Sequence, residues 1–202
     1  MPATTTNNFL SPREVAELSG VSRRTVEKAI EEKVLPVHMR QSLAGKSGMR
    51  RMLGAESVVY TTLMRALAAD LSLTLSGKRN LAKALKRHEL AGMRHQTIEI
   101  SPAVTADIGE LAGDAIDRTE KYLATRDAWI TSDPGIMGGL PIIRGTRIPV
   151  HSVLGWMRSG DSLDEIVADN YDLPREAFEA ACMYAITHPF SGRPGIALAS
   201  TA

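Results

Sequence analysis

The segment Ser11–Pro36, SPREVAELSGVSRRTVEKAIEEKVLP, contains the start and stop signals of two short helices separated by a tight turn. Ser11 is a typical N-cap, Pro12 suits the first helical position, and Glu14 stands where a capping box needs an acidic partner. Gly20 then supplies a residue that favours the end of a helix. These positions predict a short first helix that stops at a sharp turn.

The second helix is predicted to begin at Ser22 and to bury a single apolar face. That face is formed by Val26, Ala29 and Ile30. The outward positions carry basic or hydroxyl side chains, namely Arg23, Arg24, Thr25 and Lys28. Two helices joined by a glycine-containing turn, the second of them basic, predict a helix-turn-helix whose second helix enters the major groove of DNA.

A basic hairpin is predicted after these helices. Its strands are Leu35–Arg40 and Met49–Leu53, and the connection between them contains two glycines. In a winged helix this hairpin is the wing, and its cations lie beside DNA phosphates. The expected phosphate contacts are Arg40, Lys46, Arg50 and Arg51. A further helix is predicted over Ala55–Leu67, where apolar residues recur at three-and-four spacing.

The order of these elements resembles the winged helix of MerR-like regulators and phage excisionases. The resemblance is carried by SPREVAELSGVSRRTVEKAIEEKVLP, the hairpin, and AESVVYTTLMRAL, and it covers about residues 9 to 70. It implies that the N-terminal part binds DNA, and it names no particular operator.

The middle of the chain is predicted to contain a basic helix, a strand and a long linking helix. Lys78–Arg87 is predicted to form an amphipathic helix with five cations. Its basic face is either a solvated surface or a contact to phosphates. Thr97–Ile100 alternates like a strand. From about Val104 to Arg126 one face is apolar, which predicts a helix that packs within the chain or pairs with a second copy.

A second small module is predicted around Gly138–Val150, GGLPIIRGTRIPV. Trp129–Ser132 and Pro141–Arg144 predict the two strands of a hairpin. Three helices follow, over Pro149–Ser159, Leu163–Ala168 and Pro174–Ile186. The loop has neither the GxxxxGK[ST] nor the GxGxxG order, which disfavours a phosphate-binding loop. The fold class is therefore mainly α with short β-hairpins: a winged helix-turn-helix followed by a second small helix-turn-helix-like domain.

The C-terminal module resembles the small bacterial family catalogued as domain of unknown function four-thirty-three. The resemblance is carried by DPGIMGGLPIIRGTRIPVHSVLGWMRSGDSLDEIVADNYDLPREAFEAACMYAITHP, and it covers about residues 127 to 189. Members of that family resemble antitoxins of type II toxin-antitoxin modules, often of the VapB kind, whose neighbour is a PIN-like ribonuclease. With the MerR-like N-terminal part, the whole chain is similar to a VapB-type antitoxin.

These assignments divide the chain into five regions. They are a flexible arm (1–8), a MerR-like winged helix-turn-helix (9–75), a region with a basic helix, a strand and a long linking helix (76–126), the antitoxin-family domain (127–189) and a flexible tail (190–202). Phe190 and Arg193 of the tail are candidates for partner binding, with a frayed end as the alternative.

Two arginines in the GGLPIIRGTRIPV stretch have two possible roles. Arg144 and Arg147 would contact an acidic cluster of the partner, or DNA, because guanidinium groups pair well with carboxylates and phosphates. Alternatively they clamp the turn by pairing with Asp133, Asp161 or the carboxyl ends of helices. Thr146 is expected to cap the start of the next helix.

Charge is distributed unevenly along the chain. Residues 1–96 hold 16 Lys and Arg against 8 Asp and Glu, a net charge of +8, whereas residues 97–202 hold 8 against 15, a net charge of −7. A basic half favours a polyanionic partner and an acidic half favours a different one. The single Cys182 cannot form an intramolecular disulfide, and no leader or long apolar run is visible, so we expect a cytoplasmic location away from membranes.

No catalytic, metal-binding or cofactor-binding pattern is recognised. The five histidines and one cysteine lack metal-ligand spacing, and the carboxylates are spread along helix surfaces rather than clustered as a nuclease requires. His151 and His188 are expected as caps or surface residues. The favoured hypothesis is a homodimeric antitoxin that binds operator DNA and a PIN-like ribonuclease. The alternative is a stand-alone MerR-like regulator whose C-terminal half binds an effector.

Overall fold

The computed structural model describes residues 7–41, 49–101 and 104–189. In these ranges the chain forms nine α-helices, a short 3₁₀ turn and three small antiparallel sheets. This confirms the prediction of a mainly helical chain with short β-hairpins. Within the same ranges, no helix combines the length and the apolar character needed to cross a bilayer.

The first two helices are α1 (Pro12–Ser19) and α2 (Arg23–Glu31). Ser11 caps α1 in the predicted capping box, because its hydroxyl accepts from Glu14 N at 3.2 Å while Ser11 N donates to the Glu14 carboxylate at 2.6 Å. Gly20 ends α1 in the left-handed conformation, with φ of 65°. The caps and the turn predicted from the sequence are therefore present.

A three-stranded sheet lies beside these helices. Its strands are β1 (Phe9–Leu10), β2 (His38–Gln41) and β3 (Met49–Gly54), in the order β1-β3-β2. The hairpin of β2 and β3 was predicted, but β1 was not, because two residues are too short to show an alternating pattern. Ordered contacts also begin inside the predicted arm, since Asn8 O accepts from Ala55 N at 2.9 Å.

Three helices follow the hairpin: α3 (Glu56–Leu67), α4 (Leu75–Leu85) and α5 (Leu90–Met93). The helix α4 begins three residues before the predicted start at Lys78. The reason is a cap that the prediction overlooked, because the Thr74 hydroxyl accepts from Gly77 N at 3.1 Å and fixes the first turn.

The middle of the chain corrects one helix boundary. Strand β4 (Thr97–Ser101) pairs with β5 (Val104–Asp107), and the long helix α6 runs from Ile108 to Trp129. The prediction that this helix begins near Val104 was wrong. The Asp107 side chain accepts from Glu110 N at 3.0 Å and caps the helix, whereas the preceding β-branched residues favour an extended chain.

The C-terminal part consists of a small hairpin and three helices. These elements are β6 (Ile130–Thr131), β7 (Ile142–Ile143), α7 (Val150–Ser159), α8 (Leu163–Asp169) and α9 (Arg175–Thr187). The strands pair antiparallel, with Ile130 opposite Ile143. Ser162 and Glu165 form the predicted capping box of α8. The stretch GGLPIIRGTRIPV is thus a scaffold that turns a strand into a helix.

The buried residues form two clusters. The first contains residues of α1, α2, α3, α4 and the part of α6 up to Leu123, with Leu63, Leu85 and Ile116 among its fully buried side chains. The second begins at Ile130 and surrounds Phe178 of α9. Met183 of α9 also packs against the first cluster. The helix α9 therefore joins the two parts of the core.

Candidate nucleic-acid interface

The outward face of α2 exposes the side chains that the sequence assigned to DNA. Val26 and Ala29 are buried, and Arg24 lies on the opposite side of the helix, where it is exposed. Across the three described ranges the Arg24 side chain makes no ion pair or hydrogen bond. Thr25 is also exposed, and its hydroxyl is 2.9 Å from the Ser22 hydroxyl that caps the helix. Arg24 is therefore free to reach an external acceptor.

One flank of α2 is tied to the hairpin through Glu27. The Glu27 carboxylate is 3.2 Å from Arg23 on the same helix and 3.0 Å from Arg51 on β3. Its side chain is only 20% exposed, whereas those of Arg23 and Arg51 are about half exposed. One carboxylate thus brings two predicted DNA contacts together and leaves the cluster with a net positive charge.

The other flank of α2 is tied to α4 through Glu32. The Glu32 carboxylate is 3.8 Å from the Lys28 ammonium and 3.4 Å from the Lys78 ammonium. Arg79 donates to the backbone oxygen of Glu32 at 2.8 Å. These contacts hold the start of α4 against the carboxyl end of α2, and they again leave cations in excess.

The hairpin holds the remaining predicted contacts. Arg40 lies directly opposite Arg50 in the β2–β3 register. The Arg40 guanidinium stacks over the Phe9 ring of β1, 3.7 Å from its centroid, which orients an otherwise exposed side chain. Arg50 is half-buried. Lys46 lies outside the described residues.

A cleft of about 860 Å³ separates the hairpin from the end of α9. Its polar lining includes Arg40, Arg50 and His188, and its apolar lining includes methionines of the hairpin. The Tyr184 and His188 rings stack at the side of the cleft, with centroids 4.0 Å apart. The cleft is therefore lined by both the basic hairpin and the C-terminal part of the chain.

The floor of this cleft contains a buried ionic cluster that the sequence did not reveal. Glu14 is 0% exposed, and its carboxylate accepts from Tyr122 at 2.7 Å and from Arg126 at 3.3 Å. Arg126 is 3% exposed and also donates to Phe9 O at 3.0 Å. His188 Nε2 lies 3.7 Å from the same carboxylate. The cluster joins α1, β1, α6 and the end of α9.

The environment of this cluster shifts several pKa values, among them those of the two stacked rings, Tyr184 and His188. Burial, followed by the charge of Glu14, raises the pKa of Tyr184 to about 12. Burial lowers the pKa of His188, and the opposing effects of the Glu14 carboxylate and the Tyr184 carbonyl do not offset it. His188 is the C-cap residue of α9, and a cap is one of the two roles expected from the sequence. Its ring is mostly buried, so it is not the surface residue that was the other expectation. It is therefore neutral at neutral pH.

The arginines of the C-terminal part occupy different environments. Arg144 donates to Ala128 O at 2.7 Å and to Asp127 O at 3.1 Å, so it clamps the carboxyl end of α6. This is one of the structural roles that the sequence left open. Arg147 is exposed and makes no ion pair or hydrogen bond through its side chain in the part of the chain that the structure describes. Phe190 and Arg193 lie outside that part.

Thr146 does not cap a helix, contrary to the prediction. Its hydroxyl donates to Ile143 O at 2.8 Å and accepts from Ile148 N at 3.0 Å, so it closes the turn between β7 and α7. The helix α7 begins only at Val150, too far along the chain for this hydroxyl to reach its first turn. Within the described ranges, no three His, Cys, Asp or Glu side chains gather as metal ligands would.

The C-terminal elements match a known family model. Residues 130–185 match "Protein of unknown function (DUF433)", which confirms the family predicted for the C-terminal part. A relative from Sinorhizobium fredii (strain NBRC 101917 / NGR234), "Uncharacterized protein y4eO", is 29% identical over 197 residues, covering 96% of this chain and 86% of the relative.

One solved structure is similar over most of the chain. It is the X-ray crystal structure of Rv2018 from Mycobacterium tuberculosis, which is 16% identical. The alignment covers 85% of this chain and 96% of that chain, with a TM-score of 0.34.

Proposed function

We propose that this chain is an antitoxin of a type II toxin-antitoxin system that also binds the operator of its own operon. Its N-terminal part would be a MerR-like winged helix-turn-helix that binds DNA, and its C-terminal part would bind and inhibit a PIN-like ribonuclease. The DNA-binding half rests on one observation above all. Arg24 is exposed and makes no side-chain ion pair or hydrogen bond within the described residues, and it lies on the outward face of a helix that is flanked on both sides by cation-rich clusters.

The contacts of α2 support different roles for its cations. Arg24 suits a bidentate contact to guanine O6 and N7 in the major groove, because its guanidinium has no competing partner in the described ranges. Arg23, Arg51 and Lys28 are held by carboxylates, so they suit phosphates that position the protein. On the hairpin, Arg40, Lys46 and Arg50 would add further phosphate contacts.

The toxin-binding half rests on the family match and on charge. Residues 130–185 match DUF433, and the resemblance seen in the sequence implies that members of that family resemble antitoxins. The acidic balance of residues 97–202 suits a ribonuclease, whose RNA-binding surface is basic. Of the two proposed partner contacts among the described residues, Arg147 is the more available, since Arg144 is engaged at the end of α6. Phe190 and Arg193 stay proposed contacts.

A homodimer is part of the proposal, because two recognition helices would read the two halves of a palindromic operator. The half-sites are then expected about 34–36 Å apart, or a multiple of that distance. Analytical ultracentrifugation with and without operator DNA measures the stoichiometry. A single protomer on a non-palindromic site would exclude this part of the proposal.

DNA recognition is tested by fluorescence anisotropy with the promoter of the chain's own operon. Arg24→Ala removes the proposed base contact, which is worth about 1–3 kcal/mol or roughly a 5- to 150-fold weaker Kd. Arg158→Ala, which removes one exposed charge from α7, is the matched control and leaves the Kd unchanged. Equal affinities of the Arg24 variant and the wild type would exclude α2 as the recognition helix.

Toxin binding is tested by affinity purification of the tagged chain from its native host, followed by mass spectrometry. We expect a stoichiometric PIN-like protein whose ribonuclease activity falls when this chain is added. A chain that is isolated alone, yet shifts its own promoter DNA, would exclude the toxin partner and leave a transcription factor.

A second candidate function is a stand-alone MerR-like regulator that binds an effector. The observation that favours it is the cleft of about 860 Å³ between the hairpin and α9. A small molecule that fills this cleft would contact both the basic hairpin and the C-terminal part. Thermal-shift screening of the isolated chain against a metabolite library distinguishes the two functions, because an antitoxin has no need of such a ligand.

A further inference from the structure

The outer face of α4 carries a stripe of cations that the proposed DNA contacts do not include. Arg79, Lys83, Lys86 and Arg87 follow one another at positions i, i+4, i+7 and i+8, which places them on one side of the helix and of the turn that follows it. The opposite side is buried through Leu81, Ala82 and Leu85. The sequence has no Asp or Glu between Leu75 and His88. The solvent side of the helix therefore carries cations and no acidic residue.

Most of these cations have no counter-ion among the described residues. Lys83, Lys86 and Arg87 are exposed, and their side chains make no ion pair or hydrogen bond in residues 7–41, 49–101 and 104–189. By contrast, Lys78 and Arg79 at the start of α4 are bound to Glu32. Three adjacent positive charges without internal partners repel one another, so an external polyanion would stabilise them.

The stripe is continuous with the recognition helix. Glu32 lies between the ammonium groups of Lys28 on α2 and Lys78 on α4. Lys28 and Lys78 also line one groove of about 470 Å³, together with Thr25. A nucleic acid that lies along the outer face of α2 therefore meets the start of α4 at the next point of the surface.

We propose that Lys83, Lys86 and Arg87 bind phosphates of the DNA that flanks the sequence read by α2. The inference rests on the proposed DNA-binding function. The charges are spread along a helix rather than converging on one point, which suits a backbone and not a single small anion. From residue 83 to residue 87 the rise along the end of α4 and the turn that follows it is about 6 Å, which corresponds to about 2 base pairs of duplex.

DNA is favoured over RNA because the stripe continues from α2, the helix proposed to enter the wide major groove of DNA. The major groove of an RNA duplex is too narrow to admit such a helix. If RNA duplex bound as tightly as DNA and lost the same affinity in the variant, the assignment to DNA would be overturned.

The test is the salt dependence of DNA affinity in the triple variant Lys83→Gln, Lys86→Gln and Arg87→Gln. Glutamine has nearly the helix propensity of lysine and arginine, so α4 is expected to form. Each lost phosphate contact reduces the slope of log Kobs against log salt by about 0.9, so the variant reduces it by about 2.7 per bound protomer and by about 5.4 for a dimer on both half-sites. The loss should be the same for operator and for scrambled DNA. Hydroxyl-radical footprints should shorten by about 2 base pairs beside each half-site.

The matched control removes the same charge from elsewhere in the chain. Lys121→Gln, Arg158→Gln and Arg175→Gln neutralise three cations of α6, α7 and α9 and should leave the slope unchanged. Equal slope losses in the two triple variants would overturn the inference, because they would reflect net charge alone. Circular dichroism melts of both variants verify that each is folded.

The result also separates this inference from the proposed function. If the wild type binds no DNA, both are wrong. If the wild type binds its operator and the α4 variant keeps the wild-type slope, only the role of α4 is refuted. A rescue variant that exchanges the residues as Lys83→Arg, Lys86→Arg and Arg87→Lys should recover the wild-type slope, because it retains all three charges.

Discussion

Replacing Arg126 with methionine should destabilise the folded protein by about 3–5 kcal/mol. The Glu14 carboxylate is fully buried, and its cationic partner is the Arg126 guanidinium at 3.3 Å. Methionine fills a similar volume, but it leaves the carboxylate without a neutralising charge in a medium of low dielectric constant. The cost is therefore that of an uncompensated buried charge rather than that of an ordinary lost contact.

The other contacts of Arg126 support the upper part of this range. The guanidinium also donates to Phe9 O at 3.0 Å, and hydrogen bonds from charged groups contribute about 1.5–3 kcal/mol each. Tyr122 still donates to Glu14 at 2.7 Å in the variant, which limits the loss. The buried ion pair and the bonds to the backbone of β1 are lost together, so their contributions are not additive.

Urea unfolding followed by far-ultraviolet circular dichroism measures the change. Lys121→Met is the matched control, because Lys121 lies on the same helix and pairs with Glu179 at 3.0 Å on the surface. Exposed pairs of this kind contribute about 0.2–1 kcal/mol. The double variant Glu14→Gln, Arg126→Met should be more stable than Arg126→Met alone. A loss for Arg126→Met no larger than that of the control would refute the account of the buried charge.

Two further predictions concern the ends of α6 and α9. Burial lowers the pKa of His188 in the folded protein, so on acidification the unfolded chain binds a proton before the folded protein does. His188 therefore lowers the free energy of unfolding as the pH falls below 6.5, the ordinary pKa of histidine. Urea unfolding from pH 7.5 to about pH 5 should therefore show that the free energy of unfolding declines less in His188→Gln than in the wild type. An equal decline in both proteins would contradict the lowered pKa of His188. Arg144→Ala should lower stability by about 1–2 kcal/mol, because two carbonyls at the end of α6 lose a charged donor. Arg147→Ala is the matched control and should change stability by less than about 0.5 kcal/mol. Thermal unfolding of the Arg144→Ala and Arg147→Ala variants compares the two effects.

The elements that the sequence predicted well are those with local signals. The capping boxes at Ser11 and Ser162 each depend on residues three positions apart, so a short window contains the whole signal. The boundary of α6 was wrong for the opposite reason. The strand before it is defined by pairing with β4, and apolar periodicity continued through both elements without marking the change.

The buried ionic cluster was outside the reach of such reasoning. Glu14 is separated from Tyr122 by 108 positions and from Arg126 by 112, and no periodicity relates residues so far apart. One local signal was present, since Glu14 lies on the same face of α1 as the buried Leu18. A carboxylate on an apolar face requires a buried partner. The sequence does not say which arginine supplies it.

The position of α9 gives the cluster its structural importance. The segment that matches the family model begins at Ile130, after α6, and most of its buried residues form a core of their own. Yet Met183 packs against the N-terminal core, and His188 lies at the carboxylate that caps α1. The same carboxylate binds Arg126, which donates to Phe9 O of β1, and β1 pairs with β3 of the hairpin. The end of α9 is therefore in contact with groups that bind both α1 and β1. A ligand that displaced α9 would therefore disturb the basic surface through the buried cluster, without any contact to α2.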